Sequence, residues 1–264
     1  MMTETSLAQV HTEIWGDVPR HLVRLAVDRV AALLELASEP VLFARVKLTM
    51  IADPAVRCPA IAQLSLDLNG RPLRAQAAGR TMREAVEHAS DRLRIQLTRA
   101  ARNWEAIRGG RPVPGPGEWR HQSVPAPRLP FYPRPAEERA VVRRKSYALA
   151  RETPKEAAAE AELMDYDFHL FTEQASGQDS VICRTAGGYL LRLAGPLGDC
   201  LGPIDPTITV SEAPAPRLPL SGATSWLEAT GQPFLFFTDP ETGRGNVLYH
   251  RYDGHYGLIA PSAA

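Results

Sequence analysis

Residues 234–261 read FLFFTDPETGRGNVLYHRYDGHYGLIAP, and the interpretation of the rest of the chain starts from this stretch. It contains three short apolar and aromatic runs, separated by residues that are typical of tight turns. The pair Asp253-Gly254 favours a hairpin, because a primed turn needs positive φ and glycine adopts it without strain. We therefore predict three consecutive strands of a small antiparallel meander.

The same pattern occurs earlier in the chain, at a distance of 66 residues. This shift aligns aromatic, β-branched and glycine positions: Phe168 with Phe234, Val181 with Val247, and Gly188 with Gly254. No gap is needed between residues 168 and 193. Two copies are too few for a solenoid. The repeat therefore predicts two tandem small β-rich α+β domains, which we call copy one (residues 138–196) and copy two (residues 204–264).

The N-terminal part of the chain predicts a separate domain with the order β-α-β-β-β-α. Three segments alternate apolar and polar side chains, and the hairpin signal Asn69-Gly70 leads into a fourth. Two stretches have helical periodicity, and the second begins with the capping-box pattern of Thr81 and Glu84. We expect a four-stranded antiparallel sheet with two helices on one face, over residues 1–108. The whole protein is then of the α+β class.

Residues 109–137 contain eight prolines and four glycines, which is typical of a linker. The linker also contains three aromatic residues, Trp119, Phe131 and Tyr132. They could pack loosely against a neighbouring domain or dock on a partner, and the sequence leaves both alternatives open.

Charge is distributed unevenly along the chain, although the formal net charge is zero. Residues 1–108 carry a net charge of +3, residues 109–152 carry +5, and residues 153–264 carry −8. Arginine supplies 27 of the 30 basic residues. The planar guanidinium suits phosphate because it can donate two parallel hydrogen bonds, but a general compositional bias toward arginine would give the same count.

Several classes of protein lack support in the sequence. No run of about 18 apolar residues predicts a membrane span, and the N-terminus lacks the pattern of a signal peptide, so we expect a cytoplasmic protein. The chain has no Gly-rich phosphate loop, HExxH or GxSxG motif, and its histidines and cysteines lack ligand spacing. We therefore expect that the protein is not an enzyme and that it has no cofactor, metal site or small-molecule substrate.

Segments from both parts of the chain resemble the long-form bacterial ribosome hibernation-promoting factors. The similar segments are ERAVVRRKSYAL, TPKEAAAEAELMDYDFHLF, ETGRGNVLYHRYDGHYGLIAP and, in the N-terminal part, Gly79-Arg80-Thr81-Met82. The resemblance implies a protein Y-like N-terminal domain that binds small-subunit rRNA at the mRNA channel and decoding region. It also implies a duplicated C-terminal domain, as in actinobacterial hypoxia- and dormancy-associated ribosome factors.

Basic residues on or beside the two predicted helices of residues 1–108 are the candidates for RNA binding. They are Arg20, Arg24, Arg29, Arg80, Arg92, Arg99 and Arg102. For any single arginine, a solvated helix flank is the alternative. The resemblance implies contacts to phosphates and 2′-hydroxyls without a base code. The apolar stretch 25–27 departs from the family's more charged first helix, which weakens the assignment of Arg24.

The duplication affects the expected oligomeric state of the protein and of the ribosomes that it binds. In the family, a single C-terminal copy per chain resembles a homodimerisation module, and dimerisation joins two ribosomes into a 100S pair. A short tether between two copies sets an effective concentration on the order of millimolar, so we expect the copies to pair within one chain. The candidate pairing residues are Phe168, Phe171, Val181, Phe234, Phe236, Val247 and Tyr249.

The predicted protein is therefore a monomer with an internal pseudo-dimer that binds and stabilises idle 70S ribosomes and inhibits translation. Two alternatives stay open. One is a factor that dimerises ribosomes into 100S particles. The other is a non-ribosomal protein-interaction regulator that acts through the acidic repeats.

Overall fold

The computed structural model describes residues 10–53, 56, 58–108, 135–185, 187–198, 201, 204–251 and 253–262. The α+β class is confirmed, and the elements form two compact units. The first unit contains β1 (Val10–Trp15), α1 (Arg20–Leu34), β2 (Val41–Met50), β3 (Ala60–Leu68), β4 (Arg71–Gly79) and α2 (Met82–Arg108). Residues 109–134 of the predicted linker, including its three aromatic residues, lie outside the described residues.

Among its described residues, the second unit contains nine strands, two α-helices and a short 3-10 helix (Ala136–Glu138). They are β5 (Val141–Tyr147), β6 (Arg151–Glu152), α3 (Pro154–Leu163), β7 (Phe168–Glu173), β8 (Asp179–Thr185), β9 (Gly188–Leu193), β10 (Ile208–Val210), α4 (Leu220–Thr230), β11 (Phe234–Thr238), β12 (Gly245–His250) and β13 (Tyr256–Pro261). Among the described helices of the chain, none has the length and apolar character needed to cross a membrane.

The sheet of the first unit has the order β1-β2-β3-β4. The prediction of a fully antiparallel sheet was wrong at one edge, because β1 pairs with β2 in parallel. Helix α1 connects these two strands, and such a crossover returns the chain to the starting end of the sheet. The pairs β2-β3 and β3-β4 are antiparallel, as predicted.

The core of the first unit lies between this sheet and its two helices. Alternate residues of β2, β3 and β4 are buried, and they meet the apolar stripes of α1 and α2. The capping box is present at the start of α2: the Glu84 amide donates to Thr81 Oγ1 at 3.2 Å, and the Arg80 amide donates to Glu84 Oε2 at 2.8 Å. The face of the sheet opposite the helices carries polar and aromatic side chains.

The second unit contains two sheets, with strand orders β10-β9-β8-β7-β6 and β11-β12-β13-β5. The predicted meanders β7-β8-β9 and β11-β12-β13 are both antiparallel. Each meander gains a parallel strand from the other copy: β5 of copy one pairs with β13, and β10 of copy two pairs with β9. The two copies therefore exchange their opening strands.

Each helix of the second unit covers the outer face of one sheet. Helix α3 packs on Phe171, Ile182 and Leu191, and α4 packs on the equivalent side chains of the other sheet, including Phe237 and Leu248. The inner faces contribute to a further apolar cluster that contains residues of both copies.

Equivalent residues of the two copies form the same strand pairings, with one difference. Arg151 pairs with Thr172, and the residues 66 positions later, Arg217 and Thr238, form the same bridge. The ungapped alignment up to residue 193 was wrong in the third strand. Four residues separate Arg184 from its partner Tyr189, whereas five separate the equivalent His250 from its partner Tyr256. The last hairpin of copy two is thus one residue longer than that of copy one.

His250 lies at the end of β12 and is half-buried, with its ring 5.0 Å from that of Tyr256. Burial, and then the positive charge of Arg139, lower the pKa of His250 to about 4, against an opposing effect of Glu228. In the unfolded chain the imidazole would titrate near its ordinary pKa of about 6.5. Protonation therefore favours the unfolded chain between these two pKa values.

We predict that the second unit loses stability as the pH falls from about 6.5 to 4. Each pKa unit corresponds to about 1.4 kcal/mol, and partial exposure reduces the expected total loss to about 1–2 kcal/mol. Urea unfolding of the full chain and of His250→Gln at several pH values measures this loss. The variant should show a smaller decrease over the same range, and an identical decrease in both proteins would contradict the assignment.

Candidate functional site

The candidate RNA-binding arginines whose side chains the structure describes lie in several separate places. Arg20 and Arg24 lie one turn apart in the first half of α1, and both are exposed. Arg80 is exposed at the junction between β4 and α2, where its backbone amide belongs to the capping box. These three side chains are accessible to a polyanion.

Arg29 lies elsewhere, in a groove of about 250 Å³ between α1 and α2. Arg94 of α2, which sequence reasoning missed, lines the same groove. Glu87 and Asp91 also line it, so the formal charge of the groove is balanced. This balance makes the groove a weaker candidate for a phosphate than the exposed part of α1.

Arg92 is half-buried on the other flank of α2, where its guanidinium donates to the backbone carbonyl of Gln76 in β4. The geometry gives this residue a structural contact within the unit. Arg99 and Arg102 follow it at spacings of seven and three on the same helix, but their side chains lie outside the described residues.

The two copies meet through the inner faces of their sheets. The Phe168 ring lies 4.6 Å from that of Phe234 and 5.9 Å from that of Tyr249, measured between centroids. Val181 and Val247 are fully buried in the same cluster, where Phe236 is 1% exposed. Six of the seven candidate pairing residues thus lie where the copies touch.

Phe171 is the exception, and its predicted place was wrong. It is fully buried against α3, in the cluster on the outer face of its own sheet. Strand alternation explains this position, because Phe168 and Leu170 point to one face of β7 and Phe171 points to the other. Leu170, which sequence reasoning missed, occupies the inner cluster instead.

An ion pair between a half-exposed arginine and a buried carboxylate connects the copies beside the apolar cluster. Asp179 at the start of β8 accepts two hydrogen bonds from the Arg244 guanidinium, at 2.7 and 3.1 Å. It also accepts one from the Gly245 amide at 2.8 Å. The Asp179 side chain is 7% exposed, and its hydrogen bond raises the pKa of Arg244.

Gly245 allows this close approach. A Cβ atom at this position would lie 2.7 Å from the Phe236 ring and 2.9 Å from Asp179 Cβ, which is closer than real Cβ atoms come to such neighbours. The backbone amide reaches the carboxylate because no side chain intervenes. Glycine is therefore part of the contact between the copies.

One group of residues with metal-ligand chemistry occurs in the described part of the chain. The ligand atoms of Glu152, Glu160 and His169 all lie within 4.8 Å of one another, and His169 Nε2 is 3.0 Å from Glu152 Oε2. Burial raises the pKa of Glu152, and the neighbouring Glu160 raises it further. The hydrogen bond between His169 and Glu152 opposes this rise in pKa and connects the two side chains.

The comparisons with known proteins agree with this architecture. Residues 136–190 and 206–258 match the family described as Sigma 54 modulation/S30EA ribosomal protein C terminus. The chain is 40% identical over 231 residues to the Dormancy associated translation inhibitor of Mycobacterium tuberculosis, in strains CDC 1551 / Oshkosh and ATCC 25618 / H37Rv. Each match covers 83% of this chain and 76% of the relative.

Two solved structures are also similar over about a third of the chain. They are the Thermus thermophilus Protein Y N-terminal domain (20% identity, 34% of this chain and 97% of that chain, TM-score 0.29) and a ribosomal subunit interface protein from Coxiella burnetii (15% identity, 35% and 97%, TM-score 0.29).

The two matched segments define an S30EA-type protein in which the C-terminal domain occurs twice. With a relative 40% identical over most of both chains, the chain belongs to the long-form ribosome hibernation-promoting factor family. The family predicted from the sequence is thus confirmed.

We predict that Phe236→Ala and Gly245→Ala both destabilise the second unit. The first variant empties a fully buried site and should cost about 3–5 kcal/mol of unfolding free energy. The second introduces a Cβ that the Phe236 ring and Asp179 must move to accommodate. Urea unfolding followed by circular dichroism measures both effects. Val142→Ala, at a side chain that is 52% exposed, is the matched control and should stay near the parent value.

Proposed function

We propose that this protein is a ribosome hibernation factor that binds the ribosome and inhibits translation. The observation that carries the proposal is the 40% identity to a protein named as a translation inhibitor, over 83% of the chain. The two C-terminal segments that match the S30EA family support the same function. Sucrose-gradient sedimentation of a cell extract tests it, because a hibernation factor co-migrates with ribosomes and a non-ribosomal regulator does not.

We assign the ribosome contact to the first unit and its target to small-subunit rRNA at the mRNA channel and decoding region. Exposed arginines on α1 and at the start of α2 support this assignment, since guanidinium groups hydrogen-bond well to phosphate oxygens. Such contacts position a protein on folded RNA without a base code. Occupation of this region would exclude mRNA and tRNA, which explains the inhibition of translation.

We further propose that the two copies pair within one chain, so that the factor is a monomer and holds single 70S ribosomes. The support comes from positions related by the 66-residue repeat. Gln178-Asp179 of copy one corresponds to Arg244-Gly245 of copy two, and Asp179 accepts hydrogen bonds from both Arg244 and Gly245. Asp179 of copy one therefore contacts Arg244 and Gly245 of copy two.

Two identical copies would lack this complementarity. A pair of copy one with copy one would bring Asp179 against a second Asp179 without the arginine. A pair of copy two with copy two would bring two Arg244 side chains together without a carboxylate. Burial of a charge that has no partner is costly, so the pairing of unlike copies is favoured. The same pairing in one chain covers the surfaces through which two chains would otherwise associate.

We predict that exposed arginines of the first unit set the salt dependence of ribosome binding. Arg20→Gln combined with Arg24→Gln should weaken binding and reduce the log–log salt slope by roughly 0.7–0.9 for each phosphate that is no longer neutralised. Arg99→Gln with Arg102→Gln tests the other helix in the same way. Pelleting assays with purified 70S ribosomes at several salt concentrations measure the slope.

The matched control for the first pair is Arg20→Lys with Arg24→Lys, which keeps both charges. It should keep the salt slope while removing any bidentate geometry. If the folded glutamine variant had the affinity and salt slope of the parent, the assignment of α1 to the RNA contact would be wrong.

We predict that the purified protein sediments as a monomer and yields inactive 70S particles. The charge reversal Asp179→Arg should expose the pairing surfaces, because it places a like charge against Arg244. This variant should self-associate at concentrations at which the parent is monomeric. Analytical ultracentrifugation of the protein and gradients of reconstituted ribosomes measure the two states. A 100S peak that depends on the parent protein would exclude intramolecular pairing as the working state.

A further inference from the structure

The sheet of the first unit has a face that its helices do not cover. Helices α1 and α2 pack on one side, where alternate residues of β2, β3 and β4 are buried. Side chains on the other side alternate with them and form rows across the strands. One row contains His11, Arg45, Ser65 and Arg74, and the next contains Glu13, Lys47, Gln63 and Gln76. We call this surface the open face.

Aromatic side chains are exposed on the open face. Trp15, in the last position of β1, is 60% exposed, and Phe43 of β2 is 41% exposed. The His11 ring is stacked on Phe43 with a centroid distance of 5.2 Å and an interplanar angle of 25°. Large aromatic side chains left in water on a sheet are an unusual feature, and they provide flat surfaces on which another ring can stack.

Cationic groups lie between these aromatic side chains. Lys47 Nζ is 5.4 Å from the centroid of the Trp15 ring, within cation–π distance. Arg45 and Lys47 lie 2.7 and 3.9 Å from the Glu13 carboxylate, so two positive groups surround one negative group. Arg74 adds a further positive charge two strands away. Among the described strand residues, the open face therefore carries three basic side chains, Arg45, Lys47 and Arg74, against two carboxylates, Glu13 and Asp67, of which Asp67 lies opposite Phe43.

The backbone holds the Trp15 position firmly. Gly16 follows it with a φ of 81°, and a Cβ there would lie 2.2 Å from the Met50 carbonyl oxygen. Only glycine accepts this close approach, which fixes the end of β1 against the end of β2. The stacking surface at Trp15 is thus attached to a defined backbone.

We propose that the open face is a binding site for single-stranded RNA, with one unpaired base stacked at Trp15 and another at the His11-Phe43 pair. Exposed aromatic rings interleaved with Arg, Lys and Gln are the surface that single-stranded nucleic acids require, with rings for the bases and cations for the phosphates. A protein partner would be expected to favour an apolar centre depleted of charge, which this face lacks.

Bases within a duplex already stack on their neighbours, so the two stacking positions favour an unpaired strand over a duplex as the ligand. Trp15 lies four positions after His11 in β1, which corresponds to roughly 13 Å along a strand. Neighbouring bases in a duplex strand rise by only about 3.4 Å. The two positions therefore accept bases that are splayed apart, as in a loop or an unpaired strand.

This site deepens the proposed function, on which it rests for the choice of RNA as the partner. The arginines of α1 contact folded RNA through phosphates, whereas the open face would take unpaired bases. The two surfaces belong to different sides of one unit, so they can be tested independently of each other.

The test uses the full-length protein and a fluorescein-labelled, unstructured RNA 10-mer at low salt. Fluorescence anisotropy gives the affinity of the parent, Trp15→Ala and Phe43→Ala. Removal of a stacked base should weaken binding by roughly 5- to 100-fold for each variant. Lys47→Gln should reduce the log–log salt slope by roughly 0.7, the value for one contact to a single strand.

The controls separate stacking from general effects. Trp226→Ala removes an exposed tryptophan of the second unit, which is 36% exposed, and should leave the affinity unchanged. Trp15→Phe keeps an aromatic ring and should restore most of the binding. Thermal unfolding of each variant establishes that the exposed substitutions leave the first unit folded.

The proposal would be overturned by parental affinity in Trp15→Ala and Phe43→Ala, by equal competition from duplex RNA of the same sequence, or by no binding of the 10-mer at low salt. Trp15→Ala could also lose ribosome binding while it binds the 10-mer with the parental affinity. This result would assign the open face to a protein contact and would likewise overturn the proposal. Sedimentation distinguishes failure of the proposed function from failure of this proposal. If the proposed function were wrong, the parent would not co-migrate with ribosomes, although it would still bind the 10-mer.

Discussion

Parallel pairing between β5 and β13, and between β10 and β9, is the interaction on which the second unit depends. Each sheet receives its opening strand from the other copy, so neither meander is complete by itself. A sheet that lacks an edge strand exposes a row of unpaired backbone groups to solvent or to another chain. The exchange removes one such edge from each sheet and brings the inner faces together, where both copies bury apolar side chains in one cluster.

The exchange also explains why the sequences of the copies could diverge where they touch. Positions 179 and 245 are related by the repeat, and they face each other across the contact. In a symmetric homodimer both positions carry the same residue, so a large or charged side chain there meets its own copy. A tandem duplication removes this restriction: one copy keeps a carboxylate, and the other supplies a glycine and an arginine.

Local patterns in the sequence predicted the elements well, because their causes are local. The alternation in β2 and β3 and the apolar stripe of α2 reflect one buried face each, and the burial of Ala62, Leu64 and Leu93 follows from it. Strand alternation would also have placed Phe171 correctly, had it been applied to β7. Partners distant in the chain carry no such pattern, so the strand exchange and the parallel β1-β2 pair were not predicted. The ion pair of Asp179 and the aromatic surface around Trp15 depend on the same distant contacts.

The strand exchange has a consequence for how the protein is made. Synthesis proceeds from the N-terminus, and the first unit has all its strands and helices within the first 108 residues, so it can fold early. Val141, by contrast, pairs with Tyr256, near the end of the chain. Contacts between such distant residues form late because of the entropy of loop closure. Strand β5 therefore cannot complete its sheet until β13, which lies far later in the sequence, has been synthesised.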